Sequence, residues 1–76
     1  MINWKERITS DPKVLVGKPA IKGTRIGVDL ILEKIGAGET IDQILESYPS
    51  ITREDVYACL LYAAETIRHE SVHAIY

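Results

Sequence analysis

The sequence predicts a mainly α protein: a three-helix bundle of the helix-turn-helix kind, preceded by a short N-terminal β arm. Before Ile26, glycine, proline and other turn-forming residues interrupt apolar pieces of only two or three residues. After Ile26, apolar residues recur at the spacing of a helix in three segments, each bounded by capping or helix-breaking residues. We therefore expect one domain over residues 1–76, with the arm at 1–27 and the bundle at 28–76.

The arm is expected to form two or three very short strands joined by tight turns. Its apolar pieces are Val14-Leu15-Val16, Ala20-Ile21 and Arg25-Ile26. Strands this short cannot form an independent sheet, so the arm must lie on the helices. Residues 1–25 hold six basic and two acidic residues, whereas residues 26–76 hold three basic and nine acidic residues. A basic arm of this kind favours contact with an anionic surface.

Two helices are predicted between the arm and Pro49. The apolar spacing i, i+3, i+4, i+7 that indicates the first helix is formed by Val28, Ile31, Leu32 and Ile35. Gly36 or Gly38 is a suitable end for this helix. Thr40 and Gln43 have the spacing of a capping box, so the second helix begins directly after Thr40, and Pro49 stops it.

The third helix is predicted from Arg53 to Arg68 or His69, with Thr52 as its N-cap and Asp55 at the third helical position. One face of this helix is the expected core face. Its members are Val56, Cys59, Leu60, Ala63, Ala64 and Ile67.

Other apolar residues of the third helix point away from that core face. They include Tyr57, Leu61 and Tyr62, and a helix that is apolar on nearly all sides must be buried on nearly all sides. We therefore expect these three residues to form the interface of a homodimer. In the alternative, the start of the arm, with Ile2 and Trp4, folds back and covers them.

Length and cysteine content exclude several classes of protein. A chain of 76 residues holds one small core, which contributes only about 3–5 kcal/mol and usually needs support such as a partner subunit. Cys59 is the single cysteine, so an intrachain disulfide is excluded and a cytoplasmic location is expected. The longest apolar run, residues 56–64, is too short to span a membrane, and residues 1–7 lack a signal core. We expect no membrane partner.

The chain contains a match to a metalloprotease motif, which we reject. His69, Glu70 and His73 have the spacing H-E-x-x-H, in which two histidines bind zinc and the glutamate activates water. A catalytic zinc needs a third protein ligand, and the chain has no other histidine. Cys59 lies on the predicted core face, where it is a small hydrophobic residue and not a nucleophile. We predict no metal site, no catalytic residue, no cofactor and no enzymatic activity.

Residues 17–24 resemble a phosphate-binding loop at first sight. The lysine that should precede the final threonine is absent, which excludes a P-loop, and two structural turns in a hairpin are the favoured interpretation. The loop still has a basic rim that can contact nucleic-acid phosphates. The candidate nucleic-acid contacts are Lys18, Lys22, Arg25 and Arg53.

Two stretches of the chain carry a resemblance to a known family. They are residues 7–26, with the string Gly-Lys-Pro-x-Ile-x-Gly-Thr-Arg-Ile at 17–26, and residues 44–56, with Tyr48-Pro49. The chain resembles domain-of-unknown-function family 433 over residues 7–65; its members are small bacterial and archaeal proteins regarded as antitoxins. Gly27 stands where the family often has proline. The resemblance implies a homeodomain-like three-helix fold and pairing with a nuclease-like toxin of the PIN class.

Charge favours a protein partner over DNA for the third helix. The helix and its C-terminal extension carry two arginines against four acidic residues, so DNA phosphates would repel it. An acidic C-terminal half suits neutralisation of a basic nuclease. We predict an antitoxin-like regulator that binds and neutralises a nuclease-like toxin, with binding of its own promoter DNA as a second role. The alternatives are a dimeric DNA-binding regulator without a toxin partner and a pure protein-interaction module.

Overall fold

The computed structural model, which describes residues 2–69, contains three α-helices and one short hairpin. The strands are β1 (Ile8–Thr9) and β2 (Ala20–Ile21), and the helices are α1 (Val28–Gly36), α2 (Ile41–Ser47) and α3 (Arg53–His69). The strands are antiparallel, with Ile8 opposite Ile21 and Thr9 opposite Ala20. The prediction of a mainly helical protein with a short β element near its N-terminus is confirmed.

The hairpin is tied to the residues on either side of it. The amide of Lys22 donates to the carbonyl of Arg7 at 2.8 Å, and the amide of Val28, the first residue of α1, donates to the carbonyl of Pro19 at 3.0 Å. Both isoleucines of the strand pair are buried in the same hydrophobic cluster as the helices. The arm therefore lies on the helices, as strands of this length require.

The piece Val14-Leu15-Val16, which was expected to be a strand, forms a tight turn instead. Since β1 pairs with β2, these residues belong to the connection between the strands, and residues Leu15–Gly17 form a tight, left-handed turn. Leu15 and Val16 have φ angles of 50° and 55°, in the left-handed region that side chains usually avoid. Val16 is also 94% exposed. Periodicity in the sequence did not indicate this turn.

Capping interactions set the beginnings of α2 and α3 as predicted. The Thr40 hydroxyl accepts a hydrogen bond from the amide of Gln43 at 3.1 Å, and the Gln43 side chain accepts one from the amide of Thr40 at 2.8 Å. Thr52 and Asp55 form the same reciprocal pair at α3, with distances of 3.3 and 2.9 Å. Each cap satisfies backbone donors that the helix leaves free.

The core lies where the three helices meet the hairpin. Its buried members are Ile8, Ile21, Val28, Ile31, Ile44, Ile51, Val56, Ala58 and Cys59. The side of α3 that faces the core differs from the predicted one: Leu60, Ala64 and Ile67 are exposed, and that part of the prediction is wrong. The turn Trp4–Glu6 and strand β1 both pack on α3, so the arm occupies one side of this helix and shifts its buried face toward Ala58. Within residues 2–69, no helix is long and apolar enough to cross a membrane.

Candidate protein interface

One side of α3 is apolar and faces away from the core. Its residues, which we call the exposed α3 face, are Tyr57, Leu60, Leu61, Ala64 and Ile67. At about 100° per residue they fall within an arc of about 120° along three turns of the helix. Ile67 is 67% exposed, and Tyr57 and Leu60 are each 39% exposed. A contiguous apolar surface of this kind is typical of a protein-binding site.

The arm adds an edge to the exposed α3 face. Ile2 stands beside Tyr57, Leu60 and Leu61, and these four side chains border an open depression of about 390 Å³. Ile2 is itself partly buried against the core cluster, so this wall of the depression belongs to the folded domain. The depression is a place where an apolar side chain of a partner can be inserted.

A second groove begins at the far end of the exposed α3 face. It lies between the arm, α1 and the C-terminal half of α3 and has a volume of about 450 Å³. The groove is lined by Lys18, Pro19, Val28, Asp29, Leu32, Tyr62, Ala63, Thr66 and Ile67. Because Ile67 belongs to both surfaces, the apolar area is continuous from the groove to the exposed α3 face.

Tyr62 differs from the other two residues predicted for a dimer interface. Its ring meets that of Trp4 edge to face, with the ring centroids 5.0 Å apart and the planes at 82°. The indole Nε1 of Trp4 donates a hydrogen bond to Oε2 of Glu65 at 2.6 Å. The arm thus folds back over Tyr62, while Tyr57 stays exposed and Leu61 half-buried. The homodimer itself stays a prediction.

A second contact fixes the arm near the beginning of α3. Nη1 of Arg7 lies 3.1 Å from Oδ1 of Asp55 and donates a hydrogen bond to it. The other carboxylate oxygen of Asp55 accepts the amide of Thr52, so the same side chain caps α3 and holds the arm. A partly exposed ion pair contributes at most about 1 kcal/mol, but together with Trp4 it fixes the arm on α3 at two points.

Of the four candidate nucleic-acid contacts, the structure brings two together. Lys22 and Arg25 border one shallow cavity of about 500 Å³ at the hairpin turns, together with Asp11. Lys18 lines the groove beside α1, a different surface. The role of these residues in nucleic-acid binding stays a prediction.

Arg53 makes contacts within the chain. Its guanidinium donates a hydrogen bond to Oδ1 of Asp42 on α2. The Asp42 carboxylate, followed by a hydrogen bond with the side chain of Tyr57, raises the pKa of Arg53 above its ordinary value. Arg53 therefore links α2 to the beginning of α3, and a phosphate would have to compete with Asp42 for it.

Comparison with known proteins identifies the family. A model for the family described as "Protein of unknown function (DUF433)" matches residues 8–63, most of the chain. The chain belongs to the DUF433 family. The resemblance drawn from the sequence is thus confirmed, and all of the exposed α3 face except Ala64 and Ile67 lies within the matched region.

Three similar proteins show how far the similarity extends. The uncharacterized protein y4eO of Sinorhizobium fredii is 34% identical over 59 residues, which are 78% of this chain but 27% of that protein. An uncharacterized protein of Archaeoglobus fulgidus is 71% identical over 24 residues, 32% of this chain and 67% of that protein. The crystal structure of a DUF433 member from Anabaena variabilis superimposes with a TM-score of 0.77 and 29% identity, covering 82% of this chain and 61% of that chain. The chain thus spans about a quarter of the rhizobial protein's length.

The remaining titratable candidates are the single cysteine and the histidine at the end of α3. Cys59 is buried, and loss of hydration, followed by repulsion from Asp55, raises the pKa of its thiol to about 12. Within residues 2–69 no three histidine, cysteine or carboxylate side chains cluster as metal ligands would. His69 lies 3.8 Å from Glu65, and the rest of the rejected zinc motif, Glu70 and His73, falls outside the described residues.

Sequence reasoning missed Leu60 and Ile67 as members of the exposed surface. Both share a helical face with Val56, and for that reason helical periodicity alone predicts them to be in the core. The signal that could have found them is the apolar start of the arm, since Ile2 and Trp4 need a surface to cover and α3 offers one.

Proposed function

We propose that this DUF433 protein is an antitoxin-like regulator that binds a nuclease-like toxin of the PIN class through the exposed α3 face. The observation that carries the proposal is the apolar side of α3, on which Ile67 is 67% exposed and Leu60 39% exposed. Burying a large apolar side chain completely contributes about 1.5–3 kcal/mol, so a surface of this kind is costly to keep in water and favourable to cover.

Two acidic residues beside the exposed α3 face support a basic partner, while Arg68 at its C-terminal end carries the opposite charge. Glu54 is exposed in the first turn of α3, and Glu65 is half-buried on the flank next to Leu61. Acidic groups at the rim of an apolar patch steer a positively charged protein toward it and raise the association rate more than the final affinity. A nuclease surface that binds nucleic acid carries the matching positive charge.

A second role in DNA binding is proposed for the arm. We propose that the three helices form a homeodomain-like arrangement in which α2 and α3 are the helix-turn-helix pair. The exposed side of α3 is apolar and acidic, which disfavours it as a helix that reads the major groove. Lys22 and Arg25, which share a cavity at the hairpin turns, are better suited to contact phosphates of promoter DNA.

Co-expression with the nuclease-like protein from the adjacent gene tests the main proposal. The wild-type chain should restore growth of cells that produce the toxin, and it should co-purify with it. Leu60→Glu should abolish both effects, because it places a charge where the partner buries an apolar side chain. Val16→Glu is the matched control, since Val16 is 94% exposed in the arm and the same change there leaves the exposed α3 face intact.

Circular dichroism and thermal melting establish that each variant is folded before binding is compared. A folded Leu60→Glu variant that still protects cells and co-purifies with the toxin would show that the partner uses another surface. Loss of protection in both variants would show that the interface is not confined to the exposed α3 face.

A further inference from the structure

We infer that, in the free protein, the exposed α3 face is covered by the same face of a second copy, with the two α3 helices antiparallel. Within residues 2–69, Ile2 borders one edge of this face and the groove beside α1 begins at Ile67, while Leu60 and Ile67 remain open. A small core supplies limited stability, so burial of this surface in a dimer is also the support that a domain of this size needs.

The distribution of charge along α3 argues for a second copy as the occupant. Glu54 lies in the first turn and Arg68 in the last turn, on the same flank of the exposed α3 face, about 21 Å apart along the axis. In the part of the chain that the structure describes, neither side chain forms an ion pair. The face thus carries one unneutralised charge of each sign at its two ends.

An antiparallel pair is the arrangement that matches these charges. When two identical helices are related by a twofold axis in this way, equal flanks face each other and opposite ends meet. Glu54 of each copy then lies beside Arg68 of the other, and the contact occurs twice. A parallel pair would gather both acidic first turns at one end, and it would also align the two helix dipoles unfavourably.

The same symmetry places the apolar residues in register. The twofold axis of the dimer passes Leu61, which is midway between Glu54 and Arg68 in the helix. Leu60 and Leu61 of one copy therefore meet Leu60 and Leu61 of the other copy at the centre of the interface. Ala64, one turn from Leu60, is small enough to let the two helix axes approach. The depression beside Ile2 lies next to this centre and can receive a leucine side chain of the second copy.

A shared surface makes the dimer and the toxin complex mutually exclusive. This consequence rests on the proposed function, whereas the dimer does not. If the dimer must dissociate before a chain binds the toxin, the apparent affinity for the toxin is the affinity of the monomer multiplied by the fraction of chains that are monomeric. The apparent affinity for the toxin should therefore fall as the total concentration of the chain rises.

Sedimentation velocity of the full chain across a dilution series tests the inference. The wild type should be a dimer at micromolar concentration, and Val16→Glu should not change this. Leu60→Glu should sediment as a folded monomer; should this variant fail to fold, Ile67→Glu replaces it, because Ile67 is 67% exposed and adds little to the core. A wild-type monomer at tens of micromolar, or a dimer that tolerates both substitutions, would overturn the inference.

Charge reversal tests the antiparallel arrangement specifically. Glu54→Arg alone and Arg68→Glu alone should each weaken the dimer by roughly tenfold, since two contacts per dimer are reversed. The double variant should restore a dissociation constant close to that of the wild type. Failure of the double variant to recover would rule out this arrangement of the helices. A dimer that behaves as described but never binds the toxin would refute the proposed function alone.

Discussion

The hydrogen bond and ring contact of Trp4 lead to the most quantitative prediction. Truncating a fully buried tryptophan to alanine costs about 3–5 kcal/mol, and Trp4 is only half-buried, so the loss of packing on Tyr62 should cost about 2 kcal/mol. The hydrogen bond to Glu65 adds about 1 kcal/mol, a value reduced because the carboxylate is partly exposed. Against a core worth about 3–5 kcal/mol, Trp4→Ala should leave a domain of marginal stability.

A double-mutant cycle separates the two parts of this contact. Trp4→Phe keeps an aromatic ring against Tyr62 and removes the indole donor, and Glu65→Ala removes the acceptor. The coupling free energy of this pair should be about 1 kcal/mol in urea denaturation. The single tryptophan of the chain also makes its fluorescence a direct report on the arm. If the effects of the two substitutions on the free energy of unfolding are strictly additive, the hydrogen bond contributes nothing. If the wild-type tryptophan fluorescence changes at a lower urea concentration than the circular dichroism signal, the arm detaches before the helices unfold.

Three further predictions follow from the turn, the buried thiol and the basic cavity. Val16→Gly should raise the free energy of unfolding by about 0.5–1 kcal/mol, because the steric strain of valine at a left-handed φ is larger than the entropy cost of glycine. Gly17→Ala should lower the free energy of unfolding by about 1 kcal/mol, because Gly17 has a φ of 83°. Cys59 should react with thiol reagents only on unfolding. Since folding raises the pKa of this thiol from 9.0 to about 12, its contribution to stability should be constant below pH 9 and should fall from there toward pH 12. Replacing Lys22 and Arg25 together with alanine should weaken promoter DNA binding and reduce its log–log salt slope by about 2 for each bound chain.

Each of these three predictions has its own control. Urea midpoints of Val16→Gly at or below that of the wild type would mean that the turn is not strained. Cys59→Ala should remove the thiol's contribution to the alkaline decline, and rapid labelling of the folded wild type would contradict the buried thiol. Lys18→Ala is the matched control for the basic cavity, since Lys18 lies on a different surface; an unchanged salt slope in the double variant would place the phosphate contacts elsewhere.

Local signals in the sequence predicted the helices well. Thr40 with Gln43 and Thr52 with Asp55 are separated by three residues, so the hydrogen bonds that begin α2 and α3 depend only on nearby chain. The turn at Val16 was missed, because an apolar β-branched residue normally indicates a strand and only the pairing of β1 with β2 excludes it here.

The orientation of α3 could not be predicted from its own sequence. All sides of this helix carry apolar residues, so periodicity alone does not decide which side is buried. Contacts with the arm determine which side is buried. Trp4 contacts Glu65, 61 positions along the chain, and Arg7 contacts Asp55, 48 positions along the chain. Tyr62 is consequently covered, and Leu60 and Ile67 are left outside.

The large sequence separation between Trp4 and its contacts on α3 also affects the order in which the protein folds during synthesis. During synthesis the arm emerges before its docking surface on α3, from which the intervening strand and two helices separate it. Until then Trp4 has no Tyr62 or Glu65 to contact, and the helical segments form from local interactions without it. We therefore expect closure of the arm onto α3 to be the late, long-range step of folding, the step that separates the covered side of α3 from its exposed one.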